Sequence, residues 1–163
     1  MYYFREAGGT MQSALDVAEY FLCRVDRDAG DTISALKLQK LVYYAQAWSL
    51  VLRNEPLFSE DIQAWAHGPA VYEVWNHYKD YKHTDILETG PCESDFSEDE
   101  LEVLEEVWNT YGELSARQLE NLTHSEQPWI EARKGLDSGA KSQEVISHET
   151  MKSYYEKYLV VEA

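Results

Sequence analysis

Ser34-Ala-Leu-Lys-Leu-Gln-Lys-Leu-Val-Tyr-Tyr-Ala-Gln-Ala-Trp-Ser-Leu-Val-Leu-Arg53 contains neither Gly nor Pro, and Ser34 stands where a helix N-cap belongs. Leu38, Leu41, Val42, Ala45, Trp48 and Leu52 recur at steps of three and four, the stripe of a helix with a buried face. Leu36, Tyr43, Ala47, Leu50 and Val51 cover much of the remaining circumference. Only Lys37, Gln39, Lys40, Gln46 and Ser49 clearly interrupt it. A helix this apolar must be covered on most sides, so 34–53 is predicted to be the central helix of the fold.

Working outward, Ser13 can cap a helix to about Val25, with Leu15, Ala18, Phe21, Leu22 and Val25 on one face. Asn54-Glu55 and Pro56 stop the central helix. Asp61–His67 alternates with period two, which fits one short strand. Gly68-Pro69 breaks it, and Pro69 suits the first position of a helix through Val71, Tyr72, Val74, Trp75 and Tyr78. Ser97 with Glu100 and Ser115 with Gln118 are capping-box patterns. Pro128 opens a short helix, and Ser147 caps the last. The expectation is one mainly α domain of about seven helices over residues 11–160, with at most a short β segment near 61–67. Met1–Thr10 ends in Ala-Gly-Gly-Thr, has no helical period and reads as a flexible extension.

The 163 residues carry a net charge of −16, and it is uneven. Residues 85–163 hold six basic and nineteen acidic side chains, and Asp85–Glu106 contains ten acids with no Lys or Arg. That sign disfavours direct nucleic-acid binding, which draws its affinity from basic contacts to phosphate. It suits solubility, or the steering of a basic partner. No leader pattern and no membrane-length apolar run is present, so a cytoplasmic protein is expected. Cys23 lies in an apolar helical pattern and reads as a buried thiol, although a disulfide with Cys92 remains open.

The five histidines form no metal-ligand spacing, and no phosphate loop, dinucleotide fingerprint or nucleophile elbow occurs. No metal or cofactor is expected. A small hydrolase or transferase using His67 and Glu73 is the alternative from another class. The bland reading has the His67 ring bonded to a backbone carbonyl beside the turn. A more distant alternative is an acidic nucleic-acid mimic. Trp65, His67, Gly68 and Pro69, and later Thr123, His124, Pro128 and Trp129, read as structural motifs: a Trp anchor beside a turn or a helix start.

Those strings, together with Leu36–Trp48, Pro56-Leu57-Phe58, Ile62–Val71 and Leu122–Trp129, resemble the DUF4065 family, the SocA-like or Panacea antitoxin domain, which includes phage-associated GepA-like members. The likeness spans about residues 11–159, with Tyr72 where many relatives have Pro. The resemblance implies a non-catalytic domain that neutralises a co-encoded toxin by direct contact, and in one branch presents it to a protease. Lys37, Lys40, Tyr43 and Tyr72, the polar or aromatic interruptions of buried faces, are the candidate partner-binding residues. No membrane partner is expected, and the oligomeric state is not legible.

Overall fold

A computed structural model describes residues 11–90, 92 and 95–159; the predicted flexible extension at residues 1–10 lies outside them. The described residues form seven α-helices: α1 (Ala14–Arg24), α2 (Ala35–Leu52), α3 (Tyr72–Tyr78), α4 (Glu98–Tyr111), α5 (Ala116–His124), α6 (Gln127–Ala132) and α7 (His148–Tyr155). One antiparallel hairpin, β1 (Gln63–Trp65) and β2 (Gly68–Ala70), completes a mainly α domain. The helix starts follow local chemistry. Ser13 with Asp16, Ser97 with Glu100 and Ser115 with Gln118 all form reciprocal capping boxes.

Helix α2 is the axis of the fold. Ser34 accepts the Lys37 N–H at 3.2 Å, and Asn54, in the left-handed region at φ 60°, turns the chain out of the helix before Pro56. Around α2 pack α1, α4, α5, α7 and the hairpin. The apolar stripe is buried, but so are four of the five polar interruptions: Gln39, Lys40, Gln46 and Ser49. Each of these side chains bonds main-chain groups of a neighbouring segment. Gln46 accepts the Leu57 N–H at 2.7 Å and donates to the Phe58 carbonyl at 2.8 Å, while the Ser49 hydroxyl donates to the Glu55 carbonyl at 2.6 Å. Buried main-chain groups left without partners are costly, so these side chains let irregular loops lie directly on a core helix.

Two expectations change. Pro69 does not open a helix: it sits in β2 opposite Ala64, and α3 begins at Tyr72. The ladder explains this. Residues 63 and 70 face each other through their backbone groups, so the Pro69 position points its missing N–H away from β1 and costs no bond. Tyr72 takes the first helical position. Cys23, expected as a buried thiol, is bonded to Cys92 with 5.6 Å between Cα atoms. The pair is 69 positions apart in sequence, so only folding reveals it, and it pins the acidic segment before α4 to the end of α1.

Candidate functional site

The hairpin is held from both sides through its backbone. From α2, Gln39 accepts the Val71 N–H at 2.9 Å and donates to the Val71 carbonyl at 3.0 Å. The Lys40 ammonium, 1% exposed, donates to the Pro69 carbonyl at 3.1 Å. From α6, the Trp129 indole donates to the Trp65 carbonyl at 2.7 Å, and Arg133 just beyond it donates to the Ala64 carbonyl at 2.9 Å. Gly68 completes the lock. Its φ of 113° is a glycine conformation, and a Cβ there would lie 2.6 Å from Lys40 Cε and 2.9 Å from Thr123 Oγ1. His124 stacks on Trp129 with centroids 4.0 Å apart. The two strings read as structural motifs thus meet in space, around one three-residue-per-strand hairpin.

Holding the hairpin this way opens a groove of about 640 Å³ between it, α2, α3 and the segment 139–143. Trp65, Tyr72 and Trp75 form its aromatic wall. Tyr72 and Trp75 are 48% and 42% exposed, on the side of α3 away from buried Val74 and Tyr78. Trp65 and Trp75 meet edge to face at 6.1 Å, and the Lys79 ammonium lies 5.5 Å from the Trp75 ring centre. Lys40, Lys141 and His67 also line the groove, and among the described residues no Asp or Glu does. Burial lowers the Lys40 pKa to about 7, against the opposing pull of the Glu120 carboxylate.

Of the four candidate partner residues, Lys40 and Tyr72 line this groove. Lys37 instead donates to the Gly112 carbonyl at 2.6 Å, in a separate cleft of about 520 Å³ beside Arg24 and Trp108. Tyr43 is buried, its hydroxyl 2.8 Å from that of Tyr155. Tyr155 and Tyr44 both donate to Glu126 at 2.7 Å, and burial raises the pKa of that carboxyl. The sequence places Trp75 on the amphipathic helix with Val74 and Tyr78 but not among the candidate partner residues, and the structure exposes it. The signal that separates it is its i, i+3 spacing from Tyr72, against the i, i+4 pair Val74 and Tyr78.

The predicted acid–base pairing does not form. His67 is 78% exposed and sets its Nδ1 2.9 Å from Glu120, neither against Glu73 nor on a backbone carbonyl. Among the described residues no three His, Cys, Asp or Glu converge in a way that could hold a metal ion, and no helix is long and apolar enough to cross a membrane. The acids of α4 do not make a uniform anionic face: Glu105 is paired with Arg24, and Glu100 lies 3.8 Å from Arg53.

No curated protein and no solved structure matches the chain. A family model does. It covers residues 38–130, from the first turns of α2 through the hairpin into α6, while Arg133 and the 139–143 side of the groove lie beyond it. The chain belongs to the family described as antitoxin SocA-like, Panacea domain.

Proposed function

We propose that this protein is a cytoplasmic antitoxin that neutralises a co-encoded toxin by direct contact, using the aromatic groove as its docking surface. Membership of the Panacea family carries the reading: it supports an antitoxin role and a toxin partner in general. The groove supports the location. Exposed aromatic side chains on a rigid frame are the residues that anchor protein interfaces, since they bury large area at small entropic cost. The acidic half of the chain adds long-range capture of a basic toxin surface.

The test is growth. The product of the adjacent gene, expressed alone, is expected to arrest cells, and co-expression of this protein to restore colonies. Tyr72→Ala with Trp75→Ala, both on the outer side of α3, should abolish rescue while leaving the circular dichroism spectrum unchanged. A harmless neighbour, or full rescue by the double variant, refutes the proposal. Toxin abundance separates the modes of action. Masking leaves it unchanged, whereas delivery to a protease shortens its half-life.

A further inference from the structure

The small sheet extends beyond the hairpin. Glu144–Ile146 runs antiparallel to β1 on the side opposite β2: the Ala64 N–H donates to the Glu144 carbonyl and the Ile146 N–H to the Ile62 carbonyl, each at 2.8 Å. These bonds flank the pair Gln63 and Val145, so the backbone groups of Val145 point away from β1. Among the described residues neither its N–H nor its carbonyl has a partner. Among the described residues no segment pairs with this edge. Val145 is 49% exposed, and Gln143 and Glu144 before it are exposed as well. A sheet edge with unpaired backbone groups is a template for another strand.

What lies beside the edge indicates what it takes. Val145, Gln63 and Trp65 share one face of the sheet, and Trp65 donates its indole N–H to Gln63 at 2.7 Å. That face leads into the groove, whose wall includes Lys141 and Gln143 from the same edge segment. In a chain of net charge −16, the described residues that line the groove include two Lys and a His and no carboxylate. Lys141 stands at its rim, exposed. An incoming segment therefore meets unpaired backbone at the edge, aromatic surface beside it and positive charge at the rim.

We propose that the sheet is completed by an extended acidic–apolar segment of the partner protein, added as a fourth strand along residues 143–146. Its backbone bonds Val145, its apolar side chains on one face enter the groove beside Trp65 and Trp75, and a carboxylate meets Lys141. Main-chain bonding supplies affinity and the groove supplies selectivity, the division of labour in strand addition. The inference rests on the groove being the partner surface, but its test needs no toxin.

A random peptide library displayed on phage, selected on the full chain, is expected to yield sequences alternating apolar residues with Asp or Glu. Synthetic versions should quench Trp fluorescence on binding. Val145→Pro removes only the outward N–H and should weaken them about tenfold, the scale of a lost hydrogen bond, while Val145→Thr changes little. Lys141→Glu should weaken acidic peptides further. If Val145→Pro does not fold, amide exchange of the wild type decides: Val145 should be protected by the peptide. No enriched peptide, a consensus without acids, equal affinity for a folded Val145→Pro, or an unprotected Val145 amide overturns the proposal. A dimer that Val145→Pro dissolves would assign the edge to a second copy and overturn it also. Peptide binding without growth rescue would leave this inference standing and sink the antitoxin reading, and the reverse result would do the opposite.

Discussion

Replacing Gln39 by Leu removes one side chain that satisfies two buried backbone groups at once. Val71 is fully buried, and its N–H and carbonyl are bonded to the Gln39 amide at 2.9 and 3.0 Å. Leu fills nearly the same volume but leaves both groups without partners. Each unsatisfied group costs about 1–3 kcal/mol, offset in part by the better burial of Leu, so a net loss of about 3 kcal/mol is expected. For a domain of this size that corresponds to a fall of about 10 °C in Tm. Urea titration measures the loss. Amide exchange of Val71 locates it, because the hairpin should open locally before the molecule unfolds. Peptide or toxin binding should weaken with it, since β2 is part of the groove floor. A loss below about 1 kcal/mol, or an unchanged Val71 exchange rate beside a large global loss, would refute the view that α2 fixes the hairpin through its backbone.

Gly68→Ala forces a Cβ to within 2.6 Å of Lys40 Cε at a φ of 113°, and should cost about 2 kcal/mol or more in urea titration. Lys40→Met tests the buried ammonium through pH. With a folded pKa near 7 against 10.5 unfolded, the unfolded chain binds the extra proton between these values, so wild-type stability should rise with pH across that window. The slope is at most about 1.4 kcal/mol per pH unit, and in denaturant titrations from pH 7 to 9.5 the Met variant should lose it. Reducing Cys23–Cys92, which closes a loop of 69 positions, should lower stability by about 4 kcal/mol on the chain-entropy account. Scans with and without dithiothreitol measure this, and Cys23→Ser should show no further change on reduction.

Much of the fold was legible in the chain because the deciding forces are local. Ser13, Ser34, Ser97, Ser115 and Ser147 announce helix starts through bonds to residues three positions on, and periodicity announces which faces are buried. The helical character, the count of helices and the central place of α2 follow from these. The hairpin was harder. Period two marks β1, but Gly68-Pro69 offers equally good local readings as a break or a helix start, and only pairing with Ala64 and Trp65 selects a strand. Likewise Gln39, Lys40, Gln46 and Ser49 look like interruptions of an apolar surface, because hydropathy records polarity and not the carbonyl or N–H that each side chain meets.

Local pattern along the chain is enough to bury α2 nearly all round, to make its neighbours helices, and to mark two Trp-bearing strings as structural motifs. Tertiary structure decided what those strings do: Gln39, Lys40, Trp129 and Arg133, up to 94 positions apart in sequence, close on the backbone of one hairpin. It also decided that Cys23 meets Cys92, that Tyr72 and Trp75 face outward while Val74 faces in, and that among the described residues Val145 ends a sheet with its backbone unpaired. The physical reason is the same in each case. Caps and periodicity are fixed by neighbours a few residues away, whereas partners for buried polar groups, and the surfaces left uncovered, depend on which distant segments the packed core brings together.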